Sequence, residues 1–269
     1  MSTRYSAARM SHRFLRNTTI VGLLTLLSWE VVAPHHPPTV SRLRRWLTNL
    51  SLALLNGVIV TALCATCLAM ATRNVAPWRF GVLEAWAPSL WVRIPLEIVF
   101  LDLLTYALHR SYHVAPWLWR FHRVHHTDLD LDVTSASRFH LGEVAVSALV
   151  KLGAVALLGI SYQGLIAFEI LLLLAAQFQH SNIRLPQRVE RALWWTLVPP
   201  AMHRVHHTPV PIETDSNYGT LLVFWDRLFG TLRLPSLPAP PFGLAEFRDL
   251  WRLGFFRLLA LPFRWRGHR

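Results

Sequence analysis

The sequence predicts an all-α integral membrane protein, with transmembrane helical hairpins and a histidine-rich helical domain on the cytoplasmic side. Three observations lead there. Hydrophobic residues make up 53% of the 269 and charged residues only 16%, with a mean hydropathy of +0.33, too apolar for a soluble domain built around one core. Long stretches pass without a charged residue, as a helix crossing a hydrocarbon layer requires. Histidines recur at helical spacing, twice within the same hexapeptide, His122-Arg-Val-His125-His126-Thr and His203-Arg-Val-His206-His207-Thr.

Taken in chain order, each segment has its own signal. Thr18 to Ala33 is apolar and follows an arginine-rich start at Arg4, Arg9, Arg13 and Arg16. No small-residue cleavage site follows and Glu30 sits late in the run, so a retained helix is expected rather than a cleaved signal. Trp46 to Ala71, about 26 residues without a formal charge, is the clearest transmembrane helix. Its Cys64 and Cys67 read as small packing residues, with no disulfide framework implied. Trp86 to Leu108 is apolar except for Arg93, Glu97 and Asp102, which must face protein or water rather than lipid. Leu141 to Gln179 exceeds one crossing and breaks near Gly159-Ile-Ser-Tyr162, so it reads as an antiparallel helical hairpin. Beyond Leu232 the chain is punctuated by Pro235, Pro238, Pro240 and Pro241. Leu244 to Trp265 then carries Arg248, Arg252, Arg257 and Arg264 among Phe, Trp and Leu. That stretch reads either as a basic amphipathic helix at the membrane interface or as a helix packed on the cytoplasmic domain. The expected organisation is membrane segments over 1–94, a histidine-rich domain over 95–232 and a basic tail over 233–269.

Charge bears on orientation without fully settling it, and with the apolar runs it bears on the class of partner. Placing Arg42, Arg44 and Arg45 in the cytoplasm makes the Trp46 and Trp86 segments an in-out-in hairpin and returns the histidines to the cytoplasm. The basic N-terminus then requires that the Thr18 helix be re-entrant or interfacial, or that the rule be overridden locally. A net charge of +12 suits nucleic acid or anionic lipid, and the apolar runs decide for lipid, so no nucleic-acid partner is expected.

The chemistry sits in the histidines. Asp102, Tyr106, His109 and His113 lie four, three and four residues apart, which places all four on one helical face. Asp102 is a plausible hydrogen-bond partner for a metal-binding imidazole, and Tyr106 either does similar work or packs. In each hexapeptide, histidines at positions one, four and five converge on one side of a helix, with the adjacent pair about 100° apart. That pattern suits two neighbouring metal ions better than one tetrahedral zinc. His180 either joins the cluster or caps a helix, and His140 is a ligand or a substrate-side or proton-handling group. His12, His35, His36 and His268 lie in basic termini or loops and read as solvated. An all-imidazole set without cysteine suits iron, zinc or copper. The number of histidines points to two metals, and a membrane setting without a hydrolytic nucleophile favours O2 chemistry on a lipid. A zinc-dependent membrane lipid hydrolase is the alternative, with surplus ligands against it. A metal store or transporter would instead line a transmembrane path with its ionisable groups. No nucleotide or flavin motif is present, so electrons must come from a partner.

These residues resemble the fatty acid hydroxylase / sterol desaturase superfamily of membrane di-iron enzymes. The resemblance is carried by Asp102-x-x-x-Tyr106-x-x-His109-Arg-x-x-His113, His122-x-x-His125-His126, His180-x-Asn182 and His203-x-x-His206-His207. It extends through Asn217-Tyr218-Gly219 and Trp225-Asp226-Arg227-Leu228-Phe229-Gly230-Thr231, so it covers about residues 95 to 232. It implies a cytoplasm-facing site of two iron ions, for which zinc could substitute, held by His109, His113, His122, His125, His126, His180, His203, His206 and His207. It further implies O2 as co-substrate, a separate ferredoxin or cytochrome with its reductase, and hydroxylation or desaturation of a sterol or hopanoid, carotenoid, fatty acyl or ether lipid. Arg138, His140 and Glu143 resemble a family Arg-x-His-Pro-x-Glu element with Leu141 in place of the proline, giving His140 an expected place beside Asp102 and Tyr106 in catalysis. Glu97 and Asp102 are expected to tune the site from beneath, while Arg110, Arg120 and Arg123 either dock the electron donor or meet lipid headgroups.

Overall fold

Every regular element among the described residues of the computed structural model is helical; strand pairing there is confined to isolated bridges, Pro34 with Ile183 and Leu197 with Leu222. The structure describes residues 2–73, 81, 83, 89–235 and 241–264. Trp86, Pro238, Pro240, Trp265 and His268, with the side chains of His12, Cys64 and Cys67, lie outside the described residues.

Helix α1 (Ser2–Val32) is followed by α2 (Arg42–Arg73), α3 (Leu90–Val114) and α4 (Pro116–His126). A 3-10 turn over Val133–Ser137 leads to α5 (Leu141–Leu158) and α6 (Tyr162–His180). The shorter α7 (Gln187–Leu193), α8 (Pro200–His206), α9 (Pro211–Thr214) and α10 (Phe224–Leu228) complete the part ahead of the tail. Helices α5 and α6 are long and apolar enough to cross a membrane. Their outer faces are unlike those of a soluble core helix, because Leu149 and Leu157 of α5 stand exposed, as do Leu47, Leu54 and Val58 of α2.

The break between α5 and α6 falls where the sequence places it. Gly159 closes α5 in the left-handed conformation at φ 71°, and the Ser161 hydroxyl caps α6 by accepting from Gly164 N, two devices that end one helix and start another. Glu97 of α3 is fully buried against this turn, accepting from Ser161 N at 2.7 Å, Ser161 Oγ at 2.6 Å and Arg93 Nε at 2.9 Å. Arg93 also donates to Gly159 O. The charges of the third segment therefore face protein, as their cost in lipid demands. Glu97 serves the turn and not the histidine site, which corrects the expectation that it tunes that site. Between the two helices, Lys151 Nζ meets Glu169 Oε1 at 2.6 Å, a buried ion pair. Helix α5 packs mainly on α2, and α6 on α3 and α1.

Helix α1 packs on α6 near its histidine end. Thr19 O accepts from Gln177 Nε2, and eleven residues later Glu30 accepts from Asn182 N and Val133 N. The tail departs from expectation: residues 244–264 are not one amphipathic helix. A 3-10 turn (Leu250–Leu253), α11 (Phe255–Ala260) and a second 3-10 turn (Leu261–Phe263) replace it, because Gly254 and Pro262 interrupt helical continuity. Leu253 and Leu258 are buried with Leu52 of α2 and Val124 of α4, so the strap is held by packing on those two helices.

Candidate metal centre

Four helices and their ends deliver nine imidazoles to one buried place. Pro116 and Pro200 stand at the first positions of α4 and α8, where a fixed φ starts a helix without losing a needed N–H. Each histidine hexapeptide thus forms a short helix of defined register. On α4, His122 and His126 share a face and His125 points about 100° away; on α8 and its cap, His203 and His207 share a face and His206 diverges.

The nine divide into two groups, each able to hold a metal ion. His109, His113, His122, His126 and His206 form one, and His125, His180, His203 and His207 the other, with the ligand atoms of each group within 4.8 Å of one another. The shared-face pair of α4 enters the five-membered group, while that of α8 enters the four-membered group. Each divergent histidine crosses to the other group. The groups adjoin, the His126 and His207 rings stacking at 4.6 Å between centroids.

Outer hydrogen bonds fix which nitrogen faces inward. His109 Nδ1 meets Tyr218 O at 2.8 Å, His206 Nδ1 meets Ser216 O at 2.7 Å and His180 Nδ1 meets Ala176 O at 2.7 Å. A carbonyl only accepts, so each Nδ1 carries the proton and each Nε2 is a bare lone pair. His109 Nε2 and His206 Nε2 are buried with no hydrogen-bond partner among the described residues. In the second group, His180 Nε2 lies 3.1 Å from His125 Nε2 and 2.9 Å from His203 Nε2, which in turn is 3.1 Å from His207 Nε2. Shared protons cannot satisfy four such nitrogens at once, whereas one cation can. Burial first, and then neighbouring imidazoles, hold His125, His126, His203, His206 and His207 well below the usual imidazole pKa, so they stay neutral as metal binding requires. These donors fit a pair of transition-metal ions.

Two carboxylates and one loop support the first group, and their roles escape sequence reading. Glu143 Oε1 accepts from His122 Nδ1 at 2.7 Å and Asp215 Oδ1 meets His113 Nδ1 at 3.1 Å, the carboxylate–imidazole pairing that orients a ligand. The stretch 215–218 backs three imidazoles at once, through the Asp215 side chain, Ser216 O and Tyr218 O. Asn217 bends it with φ 53° and anchors it through Met202 O and Arg233 O. Asparagine tolerates that conformation better than most residues, a signal the sequence offers beside the Asn217-Tyr218-Gly219 resemblance.

Three expected catalytic residues lie elsewhere. Asp102 accepts from Leu221 N at 3.0 Å, Leu222 N at 3.2 Å and Trp225 Nε1 at 2.8 Å, so its carboxylate holds the closing segment and not an imidazole. Tyr106 Oη meets Thr231 Oγ1 at 2.8 Å and its ring stacks on Phe229; it is a second anchor for that segment. His140 caps α5, accepting from Gly142 N at 2.9 Å, and its Nε2 meets Leu259 O at 3.1 Å. Both of its nitrogens are committed to backbone, which removes it from proton handling at the centre. Arg123, expected either to dock the electron donor or to meet lipid headgroups, is buried and donates to Leu261 O.

Beneath the first hexapeptide lies a charge network the sequence reading missed. Arg45 binds Asp128 and Asp132, each at 2.6 Å, together with Asp130 O. Arg138 binds Asn49 Oδ1, Thr127 Oγ1 and Val124 O. The start of α2 is thereby pinned to the end of α4.

The fatty acid hydroxylase family model matches residues 94–231. The chain is 28% identical over 216 residues to an ornithine lipid hydroxylase of Rhizobium tropici, covering 79% of this chain and 64% of that one. It is 31% identical over 152 residues to an alkylglycerol monooxygenase of Xenopus tropicalis, covering 56% and 32%. It is 25% identical over 146 residues to the human cholesterol 25-hydroxylase, covering 53% and 52%. The chain therefore spans between about a third and two thirds of the length of these relatives. No solved structure matches it.

Proposed function

This chain belongs to the fatty acid hydroxylase family, and from that premise we propose that it is a multi-pass membrane enzyme inserting one oxygen atom from O2 into a lipid C–H bond. The observation that carries the proposal is the partition of nine buried imidazoles into groups of five and four. His109, His113, His122, His126 and His206 would hold one iron ion, and His125, His180, His203 and His207 the other. Iron at these positions would supply O2 activation and attack on an unactivated C–H bond, chemistry that no side chain performs unaided.

The residues around the imidazoles prepare the place for that chemistry. Glu143 and Asp215 keep the His122 and His113 rings turned with Nε2 inward and raise their basicity. Phe139 stacks on His125 with ring centroids 4.4 Å apart, and Trp119 packs on His113 and His126, excluding water on those sides. A methylene offers no polar handle, so the substrate must be held by shape. Electrons would come from a ferredoxin or cytochrome with its reductase, and the histidine end would face the cytoplasm.

Hydroxylation is favoured over desaturation because the relatives named above are hydroxylases and a monooxygenase; none is a hydrolase. The ornithine lipid hydroxylase makes a polar-headed membrane lipid the first substrate class to test. Lipid mass spectrometry of ornithine-lipid-producing cells, with and without the gene, should reveal a lipid gaining one oxygen atom. His206→Ala should remove that product, with two iron ions per chain in the wild type and fewer in the variant. Undiminished product from His206→Ala, or anaerobic cleavage of an ester by a zinc-loaded protein, would overturn the reading.

A further inference from the structure

Two consecutive backbone amides of the C-terminal strap tie the two histidine hexapeptides together. Gly243 N donates to His207 O at 3.1 Å, and Leu244 N donates to His126 O at 3.0 Å. Those carbonyls belong to the last histidine of each hexapeptide, at the ends of α8 and α4, where helix carbonyls have no partner of their own. Each proposed metal group draws ligands from both hexapeptides, with His122 and His126 joined by His206, and His125 joined by His203 and His207. The distance between the two helix ends therefore enters the geometry of both groups.

Position 243 can do this only as glycine. Its φ is +80°, a conformation L side chains rarely adopt, and a Cβ there would lie 2.8 Å from Asp128 O. The Asp128 carbonyl carbon at 3.3 Å and Leu129 Cδ2 at 3.0 Å crowd the same position, so backbone would have to shift to admit the added atom. Arg248 braces the bend by donating to Phe242 O and Gly243 O at 2.7 and 2.6 Å. Further along, His140 and Arg123 reach the strap at Leu259 O and Leu261 O. All of this strap lies outside the residues matched by the family model, which ends at 231.

We propose that Gly243 and Leu244 form a clasp that sets the spacing of the two histidine hexapeptides, making Gly243 a positioning residue for the metal pair; this rests on the reading that the nine imidazoles bind metal. Linkage supplies a test that needs no variant. If the clasp favours the metal-binding arrangement, bound metal must stabilise the clasp by the same factor. Amide hydrogen exchange on the full-length protein in lipid nanodiscs, stripped and then loaded with Fe(II) alone, should show amides 243 and 244 slowing by about tenfold or more. Leu258 N, which donates to Gly254 O within the strap, should change little. Equal exchange at 243 and 244 in both states would overturn the clasp.

Gly243→Ala should weaken Fe(II) retention against a chelator by about tenfold or more. Gly254→Ala, at a position with ordinary φ and open space around a Cβ, should not. Unchanged retention in folded Gly243→Ala overturns the clasp while leaving the metal reading intact. A wild type that retains no Fe(II) or Zn(II) overturns the metal reading itself, and the clasp with it.

Discussion

Five of the nine imidazoles at the candidate centre, His109, His113, His122, His180 and His206, are oriented by a hydrogen bond at Nδ1, and the two groups differ in that respect. The five-membered group has two carboxylates and two carbonyls behind it, whereas in the four-membered group His180 leans on a carbonyl, Ala176 O. Metal affinity should therefore be sensitive to Glu143. Glu143→Gln keeps an acceptor for His122 Nδ1 but loses the charge, and should weaken iron retention about tenfold; Glu143→Leu removes the acceptor and should cost up to about 100-fold. Chelator competition followed by metal analysis measures both. At Asp128 the conflict is between burial, which raises its pKa, and Arg45 with Arg138, which win and hold the carboxyl well below the usual range. The folded state thus binds fewer protons at this site than the unfolded chain. Its stabilisation is complete above the unfolded carboxylate value of about 4 and is lost as pH falls through the folded value. Asp128→Asn should lower stability at neutral pH by about 3 kcal/mol, since Arg45 loses a buried partner. Thermal unfolding should show the gap between wild type and variant narrowing as pH is taken below about 4.

At the scale of elements, helix ends matter more than helix middles. The break between α5 and α6 was legible because Gly159 and Ser161 are local signals, a left-handed helix stop and a side-chain cap, that work without knowledge of neighbours. The tail was not, because its arginines and aromatics satisfy an amphipathic pattern while Gly254, Pro262 and the contacts of Leu253 and Leu258 with α2 and α4 break it into turns. The Lys151–Glu169 pair is a second feature of this scale, since two charges in two apolar helices are tolerable only together. Lys151→Met alone leaves Glu169 buried without its cation and should destabilise by about 3–5 kcal/mol. Adding Glu169→Leu should restore most of the loss. Unfolding of the single and double variants in nanodiscs gives the coupling directly.

For the whole molecule, the ends of α1, α3 and α6 meet the starts of α2 and α5 around the histidines, and the turn between α5 and α6 lies at the opposite pole. Glu30, Arg45, His113, Glu143 and His180 mark the first pole, while Arg93, Glu97 and Ser161 mark the second. A cytoplasmic histidine end gives a definite labelling pattern. In a Cys64→Ser, Cys67→Ser background, Gln187→Cys in α7 should react with a membrane-impermeant maleimide only from the cytoplasmic side. Gln163→Cys, exposed beside the turn, should react only from the other side. The reverse pattern would invert the proposed orientation.

The sequence by itself determined that the chain is helical and apolar enough for a membrane, where the α5–α6 break falls, and which nine histidines to look for together, because periodicity, caps and ligand type are local properties. Only the tertiary structure decided how those histidines divide. The two hexapeptides are identical in sequence, yet one sends its shared-face pair to the five-membered group and the other to the four-membered group. That choice depends on the direction from which each helix enters, which no local spacing encodes. The same reason moved Asp102, Tyr106 and His140 from chemistry to support and brought forward Glu143, Asp215 and Gly243. A hydrogen bond between residues a hundred positions apart is a property of the packed chain, fixed by helices that meet only when folded.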